Sequence, residues 1–260
     1  MSFKRMCILF AISVFLIYAG LIVSLYSFYS SEHLLRIVAS ARALYAVRLS
    51  IAAASVTVLI SMTLAIPAAY ALSRYQFVGK RFIDTLLELP LFVSPAALGA
   101  MILIFFNTPL GTWVQGNVQQ FVFTVYGVIL AQIIAVLGIA VRLVKAVFDE
   151  IPRRYEAVAR TLGASRRQAF TSITMPHAYR GLFAATVLTW AKAVGEFGAT
   201  VTVAGTIAMR TETLPVSIYM RLASADIEGA VGSILILITI SLVVLYISRL
   251  IFHGGGYVSS

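Results

Sequence analysis

The chain has 260 residues, 60% of them hydrophobic and 12% charged, with a formal net charge of +10. A charged fraction about half the roughly 25% of ordinary globular chains excludes a soluble domain, and basic residues scattered between apolar runs exclude a nucleic-acid patch. A single cysteine, Cys7, and three widely separated histidines exclude an intrachain disulfide and a Cys/His metal centre.

Apolar runs long enough to cross ~30 Å of hydrocarbon predict an all-α polytopic membrane protein with about six transmembrane helices. They fall near Met6–Phe28, Val47–Leu72, Leu86–Phe106, Phe121–Phe148, Tyr179–Val203 and Ala230–Phe252. The first follows Lys4 and Arg5 but is too long for a signal peptide core, and "SLYSFYSS" offers no small-residue cleavage site, so it reads as an uncleaved span. Pro67, Pro90 and Pro95 predict kinks in spans two and three. With the N-terminus cytoplasmic, fourteen of the twenty Lys and Arg residues fall on the inner side. Five fall outside (Arg36, Arg42, Arg48, Arg210, Arg221), and Lys192 lies within span five. The positive-inside rule therefore predicts both termini in the cytoplasm and a multi-pass protein of the cell membrane.

The stretch between spans four and five, "YEAVARTLGASRRQAFTSITMP", is soluble in character. Pro152 suits a first helical turn, and Tyr155, Val158, Ala159 and Leu162 form one stripe at i, i+3, i+4, i+7. Gly163 ends that helix, and "SRRQ" from Ser165 is a capping box opening a second, which runs on to Pro176. Two readings fit the pattern: a basic amphipathic surface resting on lipid headgroups, or a rigid docking element for a soluble partner.

Within span five, Lys192 and Glu196 are four residues apart. They read as a self-satisfying structural pair, or as a pair lining a pathway or dimer interface. Ala191, Gly195, Gly198 and Thr202 form a small-residue face suited to close helix contact. Between about residues 204 and 229 an outer segment carries Pro215, which opens a short helix with Val216, Tyr219, Met220 and Ala223 on one side. No G-x-x-x-x-G-K-[ST] phosphate loop occurs, so any ATP hydrolysis requires another chain.

Glu156, Ala157, Gly163, Ile173 and Pro176 resemble the EAA loop of binding-protein-dependent ABC importer permeases. Glu156 stands one residue further from Gly163 than the family's usual glutamate, and Met175 replaces a common leucine. "WAKAVGEFGATVTVAGTI", "RTETLPVSIYMRL" and "SRYQFVGKRFIDTLLELPLFVSPAALG" are similar to the molybdate/tungstate/sulfate group, most of all to molybdate permeases. The resemblance implies a type I importer permease, one transmembrane domain over residues 1–260, with a cytoplasmic coupling loop at about 150–176. It implies a homodimer, two ATP-binding subunits on the cytoplasmic side, an external substrate-binding protein and surrounding lipid. This chain would bind no cofactor itself, with ATP and magnesium on the partner ATPase. Tyr155, Glu156, Ala157, Val158, Ala159, Leu162, Gly163 and Ala164 become the candidates for ATPase coupling. Lys192, Gly195, Glu196, Gly198 and Thr200 become those for the pathway or dimer interface, and Thr211, Glu212, Thr213, Pro215 and Tyr219 those for an outer gate. The cargo implied is molybdate or tungstate, with sulfate as the alternative. Rival readings are a secondary transporter coupling ions through Lys192 and Glu196, and a membrane-embedded enzyme.

Overall fold

The computed structural model describes residues 3–25 and 40–253. Arg36, His33, most of "SLYSFYSS" and the chain after residue 253 lie outside them. The described residues form α1 (Phe3–Ser24), α2 (Ala41–Arg74), α3 (Lys80–Leu87), α4 (Leu89–Phe92), α5 (Pro95–Phe106), α6 (Pro109–Asn117) and α7 (Val125–Glu150). There follow α8 (Arg153–Thr161), α9 (Arg166–Ala169), a π-helical turn (Phe170–Thr174), α10 (Met175–Val194), α11 (Gly198–Ala204), α12 (Leu214–Ala223) and α13 (Ile227–His253).

Four of these, α1, α2, α7 and α13, are long and apolar enough to cross a membrane, and α3 to α5 together make a fifth. The two halves of that fifth candidate are bent by 114°, the geometry of a broken span or a re-entrant loop rather than of a kinked helix. The residue before a proline is pushed out of the helical region. Ser94, ahead of Pro95, is accordingly extended, and its hydroxyl accepts from Ala97 N at 3.3 Å to start α5 afresh. Pro67 does not break α2, which continues through it.

The expected fifth span is also interrupted. α10 ends at Val194, and residues 195–197 leave the helix before α11 begins. Lys192 and Glu196 therefore do not share one continuous helix face. The expected small-residue face is used within the chain. A side chain at Gly198 would meet Pro95 Cβ at 2.8 Å, and one at Gly99 would meet Thr202 Cβ at 2.7 Å. Bare backbone is what lets α11 lie against α5. Gly138 on α7 works the same way, since a Cβ there would collide with the Leu87 carbonyl at the end of α3.

α2, α7 and α10 share the main apolar core, including Ala54, Ala65, Ala69, Ala135, Ala140, Ala178, Ala185 and Phe148. α2 spans 34 residues, about 50 Å at 1.5 Å per residue, longer than the hydrocarbon it crosses. The two sets of loops separated by the charge count sit at its opposite ends. Arg42, Tyr45 and Ser50 touch residues 210–214, whereas Tyr70, Ser73 and Arg74 touch residues 149–156. α1 buries none of its residues against the remainder of the described chain.

Candidate functional site

The soluble-looking stretch folds at the Arg74 end of α2. Pro152 precedes α8 as its N-cap rather than standing in the first turn. Gly163 has φ +91°, a left-handed conformation that glycine adopts without steric cost. The capping box forms as expected: Ser165 Oγ accepts from Gln168 N at 3.2 Å, and Ser165 N donates to Gln168 Oε1 at 2.8 Å. The second helix is shorter than the spacing suggests. Its α-helical part ends at Ala169, and the π turn carries the chain directly into α10, so the loop is continuous with the span that follows.

What holds α8 down is Glu156. Its carboxylate accepts from Thr174 Oγ1 at 2.6 Å, Arg74 Nε at 2.9 Å and Tyr70 OH at 2.9 Å. Burial alone would raise its pKa, but the hydrogen bonds from Thr174, Arg74 and Tyr70 and the Arg74 charge outweigh burial and hold it below the ordinary carboxylate value. Arg74 in turn donates to the Ile151 carbonyl at 2.9 Å, and Arg153 donates to the Ser73 carbonyl. The Tyr70 ring packs on Phe170 and Phe148, with centroids 4.5 and 5.8 Å away. Glu156 is thus committed inside the chain, tying α2, α8 and the π turn together. Nothing in the loop's own sequence names Arg74 or Tyr70 as its partners. The available signal was a basic residue closing span two on the same side as a lone loop carboxylate.

The apolar stripe of α8 points elsewhere. Tyr155, Val158 and Leu162 are 40%, 58% and 83% exposed, and Ala159 is half-buried. Ala157 is exposed but lines the other flank of the helix, and Ala164 is half-buried after the glycine turn. So four of the eight coupling candidates, Tyr155, Val158, Ala159 and Leu162, lie together on one face, while Glu156 anchors the helix from beneath.

Lys192 Nζ lies 3.6 Å from Glu196 Oε2, with the lysine 46% exposed and the glutamate buried. Glu196 Oε1 also accepts from Ala199 N at 3.1 Å, so it serves as the start of α11. Gly195 closes α10, and Thr200 is buried with its hydroxyl unpartnered. At the other end of α2, Thr211, Glu212, Thr213 and Pro215 are buried and Tyr219 is half exposed. Arg42 Nε donates to both Glu212 oxygens at 3.0 and 2.9 Å, and Leu214 N donates to Ser50 Oγ at 2.7 Å. The outer segment is therefore packed into the fold at its start, and only its latter half is accessible.

The family described as "Binding-protein-dependent transport system inner membrane component" matches residues 57–254. The chain belongs to that family. This permease is 32% identical over 214 residues to the sulfate transport system permease protein CysW of Synechocystis, which covers 82% of this chain and 78% of that protein. It is 33% identical over 211 residues to the molybdenum transport system permease protein ModB of Escherichia coli, covering 78% and 91% of the two chains. Its fold matches a chain of a bacterial ABC transporter that imports alginate, with TM-score 0.74, 19% identity and 96% and 97% coverage. The permease is an inner-membrane, multi-pass component of an ABC importer, and ATP hydrolysis belongs to a separate subunit. Membership sets aside the secondary-transporter and membrane-enzyme readings.

Proposed function

We propose that this permease works as a homodimer forming the translocation pathway of an importer for a tetrahedral metal oxyanion, molybdate or tungstate. The observation that carries the coupling part is α8: an exposed apolar stripe on a short helix locked to the body through Glu156. A rigid face of this kind suits insertion into a groove of the ATPase, because little ordering remains to be done on binding. ATP-driven approach of two such faces would shift the dimer between inward-open and outward-open states through contacts made in only one of them. Lys192, half exposed in the single chain, is free to meet a second copy or the cargo, and this supports reading it as a residue of the dimer axis or the pathway.

The oxyanion class is supported by relatives that transport sulfate and molybdenum. Molybdate rather than sulfate is supported by "GEFGAT" and "TETLPVSIY", which are more like molybdate permeases. The test is uptake by the permease–ATPase complex in liposomes, with the binding protein loaded with molybdate, tungstate, sulfate or phosphate. Metal uptake by mass spectrometry, with faster ATP turnover than without loaded binding protein, is expected for the first two. Uptake of sulfate alone moves the cargo to sulfate, and uptake of none of the four defeats the oxyanion reading.

A further inference from the structure

α8 has a second stripe. Arg153, Glu156, Ala157 and Arg160 follow the same i, i+3, i+4, i+7 spacing as the apolar positions, but on the opposite side of the helix. Together with Tyr70, Arg74 and Arg166 they line a cavity of about 250 Å³ between α8, α9 and the end of α2. Four guanidiniums face it against a single carboxylate. Arg74 and Arg153 are partly used by Glu156, Ile151 and Ser73. The guanidiniums of Arg160 and Arg166 make no hydrogen bond or ion pair among the described residues, and both residues are exposed. Two uncommitted, exposed guanidinium forks beside two fixed ones concentrate positive charge at this notch and offer donors to an anion. Planar forks suit oxygens of a tetrahedral anion better than ammonium groups do. At about 30 Å³ per water, the cavity has room for a phosphate-sized group and several waters.

We propose that this notch is a binding site for a tetrahedral oxyanion, held chiefly by Arg160 and Arg166. Its place at the cytoplasmic end of a spanning helix makes the phosphate of an anionic lipid headgroup one source, since basic pockets there collect such headgroups. A free dianion such as inorganic phosphate presents the same oxygens and is the other. The inference rests on the reading that the apolar stripe is the ATPase docking face. A partner covering Tyr155, Val158 and Leu162 leaves the arginine flank available, so one short helix would bear a protein contact on one side and an anion on the other.

The experiment uses the permease–ATPase complex in nanodiscs, wild type against R160Q/R166Q, both changes lying at exposed positions. One arm measures retention of phosphatidylglycerol from mixed phosphatidylcholine discs by native mass spectrometry. The other titrates inorganic phosphate by calorimetry in discs of phosphatidylcholine alone. Retention in the first arm, or saturable binding in the second, should weaken at least tenfold in the variant and so name the source. R160K/R166K, which keeps the charge and loses the forks, should fall between. Equal behaviour of wild type and R160Q/R166Q in both arms overturns the site. So does loss of the ATPase subunit from the variant with anion retention unchanged, because the arginines would then serve the partner protein. Oxyanion uptake in liposomes is read separately, so failure of the notch leaves the importer reading standing.

Discussion

Glu156 shows how one carboxylate fixes the exposed apolar face of α8 from within the chain. It receives three donors from two other elements, Tyr70 and Arg74 on α2 and Thr174 on the π turn, and Arg74, the charged one, is 5% exposed. Removing the acceptor leaves these donors unpaired near the membrane surface, which costs on the order of 1–3 kcal/mol. Glu156→Ala should therefore lower the thermal midpoint of the purified permease and weaken ATPase association together. Glu156→Gln, which still accepts hydrogen bonds, should do so less. A pH dependence accompanies this. With its folded pKa held below the ordinary value, Glu156 stabilises the loop fully above the unfolded pKa near 4.3, and the contribution is lost as pH falls through the folded value. Protection factors in α8, corrected for the intrinsic pH dependence of amide exchange, should then fall with acid below about pH 4.3 in the wild type and show no such fall in Glu156→Ala. Equal acid response in both proteins would remove the anchoring role.

At the scale of elements, the exposed stripe and the buried anchor of α8 make separable predictions. Leu162 is 83% exposed, so Leu162→Asp should leave the stability of the isolated permease within about 0.5 kcal/mol of wild type. Against an apolar groove the same aspartate becomes an unpaired buried charge, and the Kd for the ATPase should rise at least about tenfold, or 1.4 kcal/mol. An unchanged Kd, measured by surface plasmon resonance with the ATPase subunit, would mean the stripe rests on lipid instead. The plan of this loop was legible in the sequence because its signals are local: stripe spacing, a positive-φ glycine and a capping box all lie within a few residues of what they determine. The broken spans were less so. Pro90 and Pro95 signalled a perturbation, but whether a proline bends or breaks a helix depends on what accommodates the freed backbone. Here Gly198 on α11 admits Pro95 at the break, and Gly138 on α7 admits the Leu87 carbonyl ahead of Pro90, both contacts between distant positions. Likewise Glu196 and Lys192 gave their spacing correctly, but the break at residues 195–197 depends on α11 packing through Gly198 and Gly99 against α5. The partners of Glu156 and Glu212, Arg74 and Arg42, are separated from them by 82 and 170 positions, beyond any local pattern.

For the whole molecule, the decisive quantity is orientation. The two charged ends of α2 hold different chemistry. One end gathers Arg74, Arg153, Arg160 and Arg166 around the loop, and the other holds the Arg42–Glu212 pair and the start of α12. Lys and Arg asymmetry of fourteen to five predicts that the first end faces the cytoplasm. Cysteine labelling tests it, with the exposed Cys7 replaced by serine as background. Ser165 is exposed in the loop and serves as the inner reporter. Ser217 would be a natural outer reporter from sequence, but it is buried, so a thiol there would stay silent on either side of the membrane. Ser224, exposed just beyond α12, takes its place. An impermeant maleimide added to intact cells should label Cys7→Ser/Ser224→Cys and not Cys7→Ser/Ser165→Cys. Both should label once the membrane is permeabilised, which shows that the loop thiol is reachable. Labelling at position 165 in intact cells would place α8 outside, and neither ATPase docking nor a cytoplasmic arginine notch would survive that result.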